Sequence, residues 1–454
     1  MEHRWSEFRR EFRPMLRLAA PLALAELGWI AQGVIDLIMA GPLGPAAIGA
    51  GSLANMLFYP IAISGTGLLL GMDTLVAQSF GASDDRDCRR TLVNGFWLAV
   101  ALTPPLTLII LALIPLMRAA GTNPAVLVPF GPYLKALTAS ILPLLVYSAL
   151  RRYLQAVNVV RPVTFSLVSA NVINIAGNYA LMYGHWGAPA MGLEGSGWST
   201  TIARVYMAGV LIAAVIWHER ESGNLLAKIS WRPDPVRARR LFFLGLPAAL
   251  QIGVEGGVFG LVTVFAARLD EISLAAHSIA VNVVGTTFMV PLGISSAAAV
   301  RVGHAIGRKD PRAAAVAGWA AVVLGGLFMG SAGLALAFLP RAIVRVFTAD
   351  PAVIASGAVL LQIAALFQLF DGFQVVTTGA LRGLGDTRTP MLAHLTGYWI
   401  IGLPISYTLC FSYRLGAPGI WVGLSTALIL IGASLLLVWR ARVRSIQKDQ
   451  AMLV

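Results

Sequence analysis

Charge is scarce in this chain. Asp, Glu, Lys and Arg make up 12% of the 454 residues, 57% are apolar, and the mean hydropathy is +0.76. A soluble domain carries roughly a quarter of its residues charged, so this composition excludes one and marks a polytopic membrane protein. Cysteine is almost missing: Cys88 and Cys410 are the whole complement, one in an expected cytosolic loop and one inside an apolar span, which excludes a disulfide framework. No Walker-type glycine loop, HExxH pair or GxSxG elbow occurs, so neither ATP-driven pumping nor hydrolysis is supported and no cofactor is expected. The net charge of +13 comes from basic residues scattered through short loops, with no concentrated patch that would suit nucleic acid. The N-terminus, MEHRWSEFRREFRPMLR, is basic but has no small-residue cleavage site, and the apolar run after it is too long for a signal-peptide core; it should persist as the first helix.

What the chain has in abundance is apolar runs of spanning length. Twelve are expected, at 15–39, 50–80, 92–117, 130–150, 163–183, 191–217, 242–267, 274–300, 313–339, 352–381, 391–413 and 418–439. With the N-terminus in the cytosol, 27 of the 34 Lys and Arg fall inside and five (Arg118, Arg268, Arg341, Arg345, Arg414) fall outside. The positive-inside rule therefore favours both termini cytosolic and an even number of helices. The longest polar connection, 218–240, carries six basic residues and two prolines and reads as a linker between an N-terminal lobe (1–217) and a C-terminal lobe (241–440), with a cytosolic tail at 441–454. An offset of 226 residues aligns Pro21 with Pro247, Gln78 with His304, Gly81 with Gly307 and Asp84 with Asp310; at 227–229, Leu154 meets Leu381, Pro162 meets Pro390, and GAP at 187–189 meets GAP at 416–418. Six helices per half put both halves in the same orientation, as parallel repeats. Two such bundles are the architecture of an alternating-access carrier, here expected to act as a monomer in contact with membrane lipid.

Ionisable groups at membrane depth are then the candidates for function. The run 242–267 holds a single one, Glu255. At about 1.5 Å per residue, Glu255 lies about 22 Å in from Arg240 and Asp371 about 16 Å in from Arg382. Two carboxyls sharing one cavity tend to share a proton or hold a cation, a physical basis for ion coupling; the alternative is a structural carboxyl bonded to a neighbouring helix. In the first half Asp36 interrupts GVIDLIMAG, and an exposed interfacial aspartate is its alternative reading. Asn171, Asn174 and Asn178 are spaced three and four apart on one helical face, a polar stripe for a bundle interior or simply interhelical glue. Glu26, Gln32, Asp73, Lys135, Thr200, Arg204, His277 and His394 also lie in or near spans, where pairing and end-of-helix roles are the ordinary ones.

The runs ELGWIAQGVIDLIMAGPLG, GMDTLVAQSFGA, LPAALQIGVEGGVFG and FQLFDGFQVVTTGALRGLGDTRTPM resemble the multidrug and toxic compound extrusion (MATE) family, most closely its NorM-like branch, over about residues 15–440. The resemblance implies an all-α membrane fold of twelve helices in two pseudo-symmetric six-helix bundles. It also implies antiport of cationic or amphipathic organic compounds against Na+ or H+ in a bacterial inner membrane. Carried over, it assigns Glu255, Asp371 and Asp36 to cation or proton binding, with Na+ possible at Glu255 and Asp371, and Asn174, Asn178 and Thr200 to the polar site around Asp36 in the first half; Phe367 and Gln32 would line the substrate cavity. Sodium-binding relatives often carry tyrosine where this chain has Phe367, which leaves the choice of ion open. Two other carriers stay in view. GASDDRDCRR resembles the major facilitator loop signature G-x-x-x-D-R-x-x-R-R but leaves the other motifs unexplained. A lipid or oligosaccharide flippase of related fold would be expected to line its cavity with arginines.

Overall fold

A computed structural model of the chain describes residues 2–221 and 230–451; residues 222–229 of the 218–240 connection and 452–454 of the tail lie outside the described residues. Every element is helical, with no strand among the described residues. In chain order they are α1 Glu2–Ala40, α2 Pro45–Leu68, α3 Gly71–Gly81, α4 Asp85–Ala119, α5 Pro124–Thr138, α6 Ile141–Ala156, α7 Arg161–Tyr183, α8 Leu193–Glu221, α9 Pro235–Ala267, α10 Glu271–Gly307, α11 Pro311–Phe338, α12 Pro340–Arg345, α13 Pro351–Leu384, α14 Arg388–His394, α15 Leu403–Tyr407 and α16 Ala417–Ala451.

Among the described residues, nine stretches are long and apolar enough to cross a membrane, and α5 with α6, bent by 40° at their junction, makes a tenth. The two remaining expected spans are also helical: α7, whose polar stripe lowers its hydropathy, and the run from Arg388 to Ser412, in which wide π turns at Leu395–Gly402 and Thr408–Ser412 alternate with α14 and α15. The structure thus agrees with a twelve-helix membrane fold. Large apolar side chains such as Ile38, Leu108, Val128, Leu327 and Leu437 stay exposed, as a lipid-facing surface requires and an aqueous one penalises.

Helix starts follow from local chemistry. Asp84, Asp270, Asp310 and Asp350 accept backbone N–H bonds at their helix N-termini, at 2.8–2.9 Å, and Pro45, Pro124, Pro311 and Pro351 occupy first positions where no N–H is needed. The hydroxyl and amide of Ser273 hold the Asp270 carboxyl below the usual carboxylate range.

The internal repeat extends to backbone conformation. Ser83 and Lys309, one offset apart, both adopt left-handed φ (59° and 58°), as do Asn158 and Gly385 (64° and 90°) and Gly187 and Gly416 (82° and 62°). Ser83 and Lys309 are not glycines, and such angles are uncommon outside tight turns.

The residues divide into two compact units, Leu24–Phe80 with Asp84–Ala249 and Leu250–Val454 with Met1–Ala23 and Gly81–Ser83. In the first, a continuous apolar core runs through Phe58, Met72, Phe130 and Tyr153, and the start of α9 packs on α2, where a Cβ at Gly67 would lie 2.8 Å from the Ala249 Cα. In the second, α10, α11, α13 and α16 pack together around Trp421 and Trp439, and the start of α1 packs on α10, where a Cβ at Gly293 would lie 2.6 Å from the Ala23 Cα. Gly67 and Gly293, like Ala249 and Ala23, are 226 residues apart, so each unit repeats the same close helix crossing.

Candidate ion and substrate sites

In the first unit Asp36, on α1, is 8% exposed. Its Oδ1 accepts from the Asn178 amide at 2.7 Å and its Oδ2 from the Thr200 hydroxyl at 3.3 Å. The Asn178 amide also reaches Asn174 Oδ1 at 3.4 Å, and Asn174 donates to Thr200 and Ser199, each at 3.4 Å. Asn174 and Asn178 are four apart on α7, so one helical face presents both to Asp36. Asn171, three residues earlier, turns away to the Gly28 carbonyl at 3.2 Å. One turn beyond Thr200 on α8 lies Arg204, buried, donating to Ser140 Oγ at 2.5 Å and lying over the rings of Phe58 and Trp29 at 5.3 and 5.7 Å. Gln32, one turn before Asp36, is buried with its Nε2 lacking a partner.

In the second unit Glu255, on α9, is partly buried and faces Asp371, the Gln374 side chain and the Tyr398 hydroxyl. Asp371, on α13, is 3% exposed and accepts from Gln374 Nε2 at 3.0 Å. Neither carboxylate is paired with a basic side chain among the described residues. Phe367, one turn before Asp371, is fully packed and stacks on Trp421, ring centroids 6.3 Å apart.

The family model MatE matches residues 21–180 and 247–408, most of the chain. The chain belongs to the MATE family. It is 37% identical over 96% of its length, and 95% of the relative's, to a "Probable multidrug resistance protein NorM" of Mesorhizobium japonicum, and 38% identical to the protein of the same name in Rhodopseudomonas palustris, over 96% and 92%. Among solved structures it shares the fold of the eukaryotic MATE transporter AtDTX14 (TM-score 0.84, 19% identity, 98% of this chain and 99% of that one) and of a MATE crystallised in complex with MaL6 (TM-score 0.88, 18% identity, 96% and 97%). The family resemblance read from the motifs is therefore correct, and MATE proteins are transporters, not enzymes.

The other polar residues of this MATE-family chain are mostly held in pairs. Glu26 is bound by Arg151, and Arg152 approaches Asp73 at 3.5 Å; Glu219 takes a hydrogen bond from the Tyr153 hydroxyl and lies 3.5 Å from Arg89. Lys135 is exposed on α5. His277 accepts from the Trp421 indole N–H at 3.1 Å, which leaves its other nitrogen to donate to Thr263 at 3.1 Å. His394 bonds the Pro390 carbonyl at 2.7 Å through Nδ1 and Gln251 at 3.4 Å through Nε2. Both histidines are satisfied packing residues. Sequence reasoning missed Ser199, Gln374 and Tyr398. The first and second were within reach of it, one beside Thr200 and the other three residues from Asp371; Tyr398 has no signal in its own segment.

Proposed function

We propose that this MATE-family multidrug transporter exports cationic and amphipathic organic compounds by antiport, with Glu255 and Asp371 carrying the inward-moving Na+ or H+. The observation behind this reading is that Glu255 on α9 lies near enough to Asp371 on α13 for their charges to interact, and neither has a basic partner among the described residues. Such a pair repels itself unless a proton or a cation is present. A bulky organic cation and an inorganic one then compete for the same negative charge, and competition makes the process an exchange. Asp36, with Asn174, Asn178 and Thr200, forms a second polar site that takes part in the cycle, and Gln32, one turn before Asp36, would border the substrate; Phe367, expected in the cavity lining, is instead packed on Trp421 behind Asp371. Hydrophobic and cation–π contacts supply the rest of substrate affinity. The protein acts as a monomer in the bacterial inner membrane with both termini in the cytosol.

The test is ethidium efflux from energised cells expressing Glu255→Gln and Asp371→Asn, with expression levels matched. Both substitutions keep side-chain shape and remove charge, and each should abolish efflux. Undiminished efflux in both would refute the role given to the pair.

A further inference from the structure

Between α11 and α13 the chain exposes apolar bulk outside any expected span. The apolar runs 313–339 and 352–381 leave Val346 and Phe347 in the connection, yet these are 82% and 52% exposed, and Phe338 at the end of α11 is 78% exposed. No other large apolar side chain among the described residues is as exposed as Val346. Within a span such exposure faces hydrocarbon; a connection that stands in water is polar as a rule, because apolar side chains left there forgo the gain of burial.

The turn itself does not require them. At an offset of 227 the connection matches the one between α4 and α5: Asn123 meets Asp350 and Pro124 meets Pro351, each pair opening a helix, and Arg118 meets Arg345. Val346 and Phe347 then stand where the first half has Ala119 and Ala120. Helix α4 runs on through Ala119, whereas α11 ends at Phe338 and Pro340 opens the separate helix α12.

Helix α12 is pinned from beneath. Pro340 and Val344 are buried, and Val344 fits against Gly357 of α13, where a Cβ would lie 3.1 Å from its Cγ2. Arg341 and Arg345, four residues apart and therefore neighbours on the helix, are both exposed. Neither has a hydrogen-bond or ion-pair partner among the described residues. The nearest acid in the chain, Asp350, is occupied in capping α13, its Oδ1 accepting from the Ala352 and Val353 N–H groups at 2.8 and 3.3 Å. Two free guanidiniums beside a projecting valine and phenylalanine match a phosphate set above acyl chains, since arginine takes phosphate through paired N–H bonds and apolar side chains enter the boundary below the headgroups.

We infer that α12 and the turn after it form a membrane-interface anchor that binds anionic phospholipid, with Val346 and Phe347 in the acyl boundary and Arg341 and Arg345 on headgroup phosphates. A zwitterionic headgroup brings its own cation to the phosphate; an anionic one leaves the charge for the arginines, each of which strengthens attachment about fivefold.

The test places the full chain in liposomes, with Cys88→Ser and Cys410→Ser, both buried, and a fluorescent label on Ala349→Cys, an exposed position in the same turn. Phosphatidylglycerol or phosphatidylcholine carrying a quencher high on the acyl chain is included at equal mole fraction. Quenching should rise several times more steeply with phosphatidylglycerol. Arg341→Gln/Arg345→Gln should make the two lipids equal while quenching by both persists, and Val346→Ala/Phe347→Ala, which installs the residues of the first half, should lower quenching by both at least twofold. Ethidium efflux should be unchanged in each variant, which a misfolded protein would not give. Equal quenching by the two lipids before substitution overturns the inference and decides even where a variant fails to fold. Absence of quenching, which puts the turn in water or beneath a second copy of the chain, overturns it too, as does a preference for phosphatidylglycerol that survives Arg341→Gln/Arg345→Gln.

Discussion

Breaking the Glu26–Arg151 pair should destabilise the protein far more than deleting both partners together. The two side chains are 11% and 8% exposed, and the Arg151 guanidinium is the partner the Glu26 carboxylate has across 125 residues of chain. Arg151→Met leaves Glu26 charged and without a counter-ion; Glu26→Gln leaves a buried guanidinium facing an amide. Removal of one partner from a buried pair costs about 3–5 kcal/mol, whereas replacing both by neutral groups is often close to neutral. The double variant Glu26→Gln/Arg151→Met should therefore lose less stability than either single one, with a coupling energy of about 2 kcal/mol or more. Graded denaturation of the purified protein in a single detergent gives the four corners of the cycle. Function should follow stability, because Asp36 lies about 15 Å further along the same helix and depends on its placement. A loss below about 1 kcal/mol in Arg151→Met, or additive single effects, would refute the reasoning.

Two further outcomes follow from the geometry. Gly245→Ala should destabilise the packing of α9 on α2 by about 1–3 kcal/mol in the same denaturation assay, because its new Cβ would sit 2.5 Å from the Leu68 carbonyl carbon, where backbone and not a flexible side chain must yield. Asn178→Ala removes the donor closest to Asp36 and the one serving Asn174 Oδ1. It should cost about 1.5–3 kcal/mol, the usual worth of a hydrogen bond to a charged group, and should depress ethidium efflux without changing sodium binding to the purified protein.

The spans were legible because a bilayer imposes a length, and apolar runs of that length leave little else to read. The Asn174–Asn178 face was legible because a helix repeats at four residues; its approach to Asp36, 142 residues away, is a tertiary fact that no local pattern encodes. Arg151 and Arg152 mislead by composition. They fit the basic loop 151–161, yet they occupy the last turns of α6, where Arg151 is buried, and they face Glu26 and Asp73. Charge counting ranks loops but says nothing of whether an arginine at a helix end turns inward. No change in composition marks Ala23 or Ala249, although the packing divides within α1 and α9 near those residues. The clue was the alignment of Pro21 with Pro247, which set the two helices in register without showing what their ends touch. Tyr398 was hidden for a different reason: a regular 3.6-residue count through 391–413 gives the wrong facing once π turns widen the helix.

The two carboxylate sites differ in how their oxygens are satisfied, and this bears on how each can take part in exchange. Asp36 receives neutral donors on both oxygens, from Asn178 and Thr200, and the buried cation Arg204 lies one turn from Thr200. An incoming inorganic cation there would have to displace existing bonds and approach a guanidinium. Glu255 and Asp371 face the Gln374 amide and the Tyr398 hydroxyl and have no basic partner among the described residues, so a cation arriving there removes a repulsion. The family resemblance groups Asp36 with the other two carboxylates. Their local chemistry separates them: Asp36 is already satisfied by neutral donors, whereas Glu255 and Asp371 face each other without a basic partner among the described residues, so in the proposed cycle an incoming cation relieves more repulsion on α9 and α13 than at Asp36.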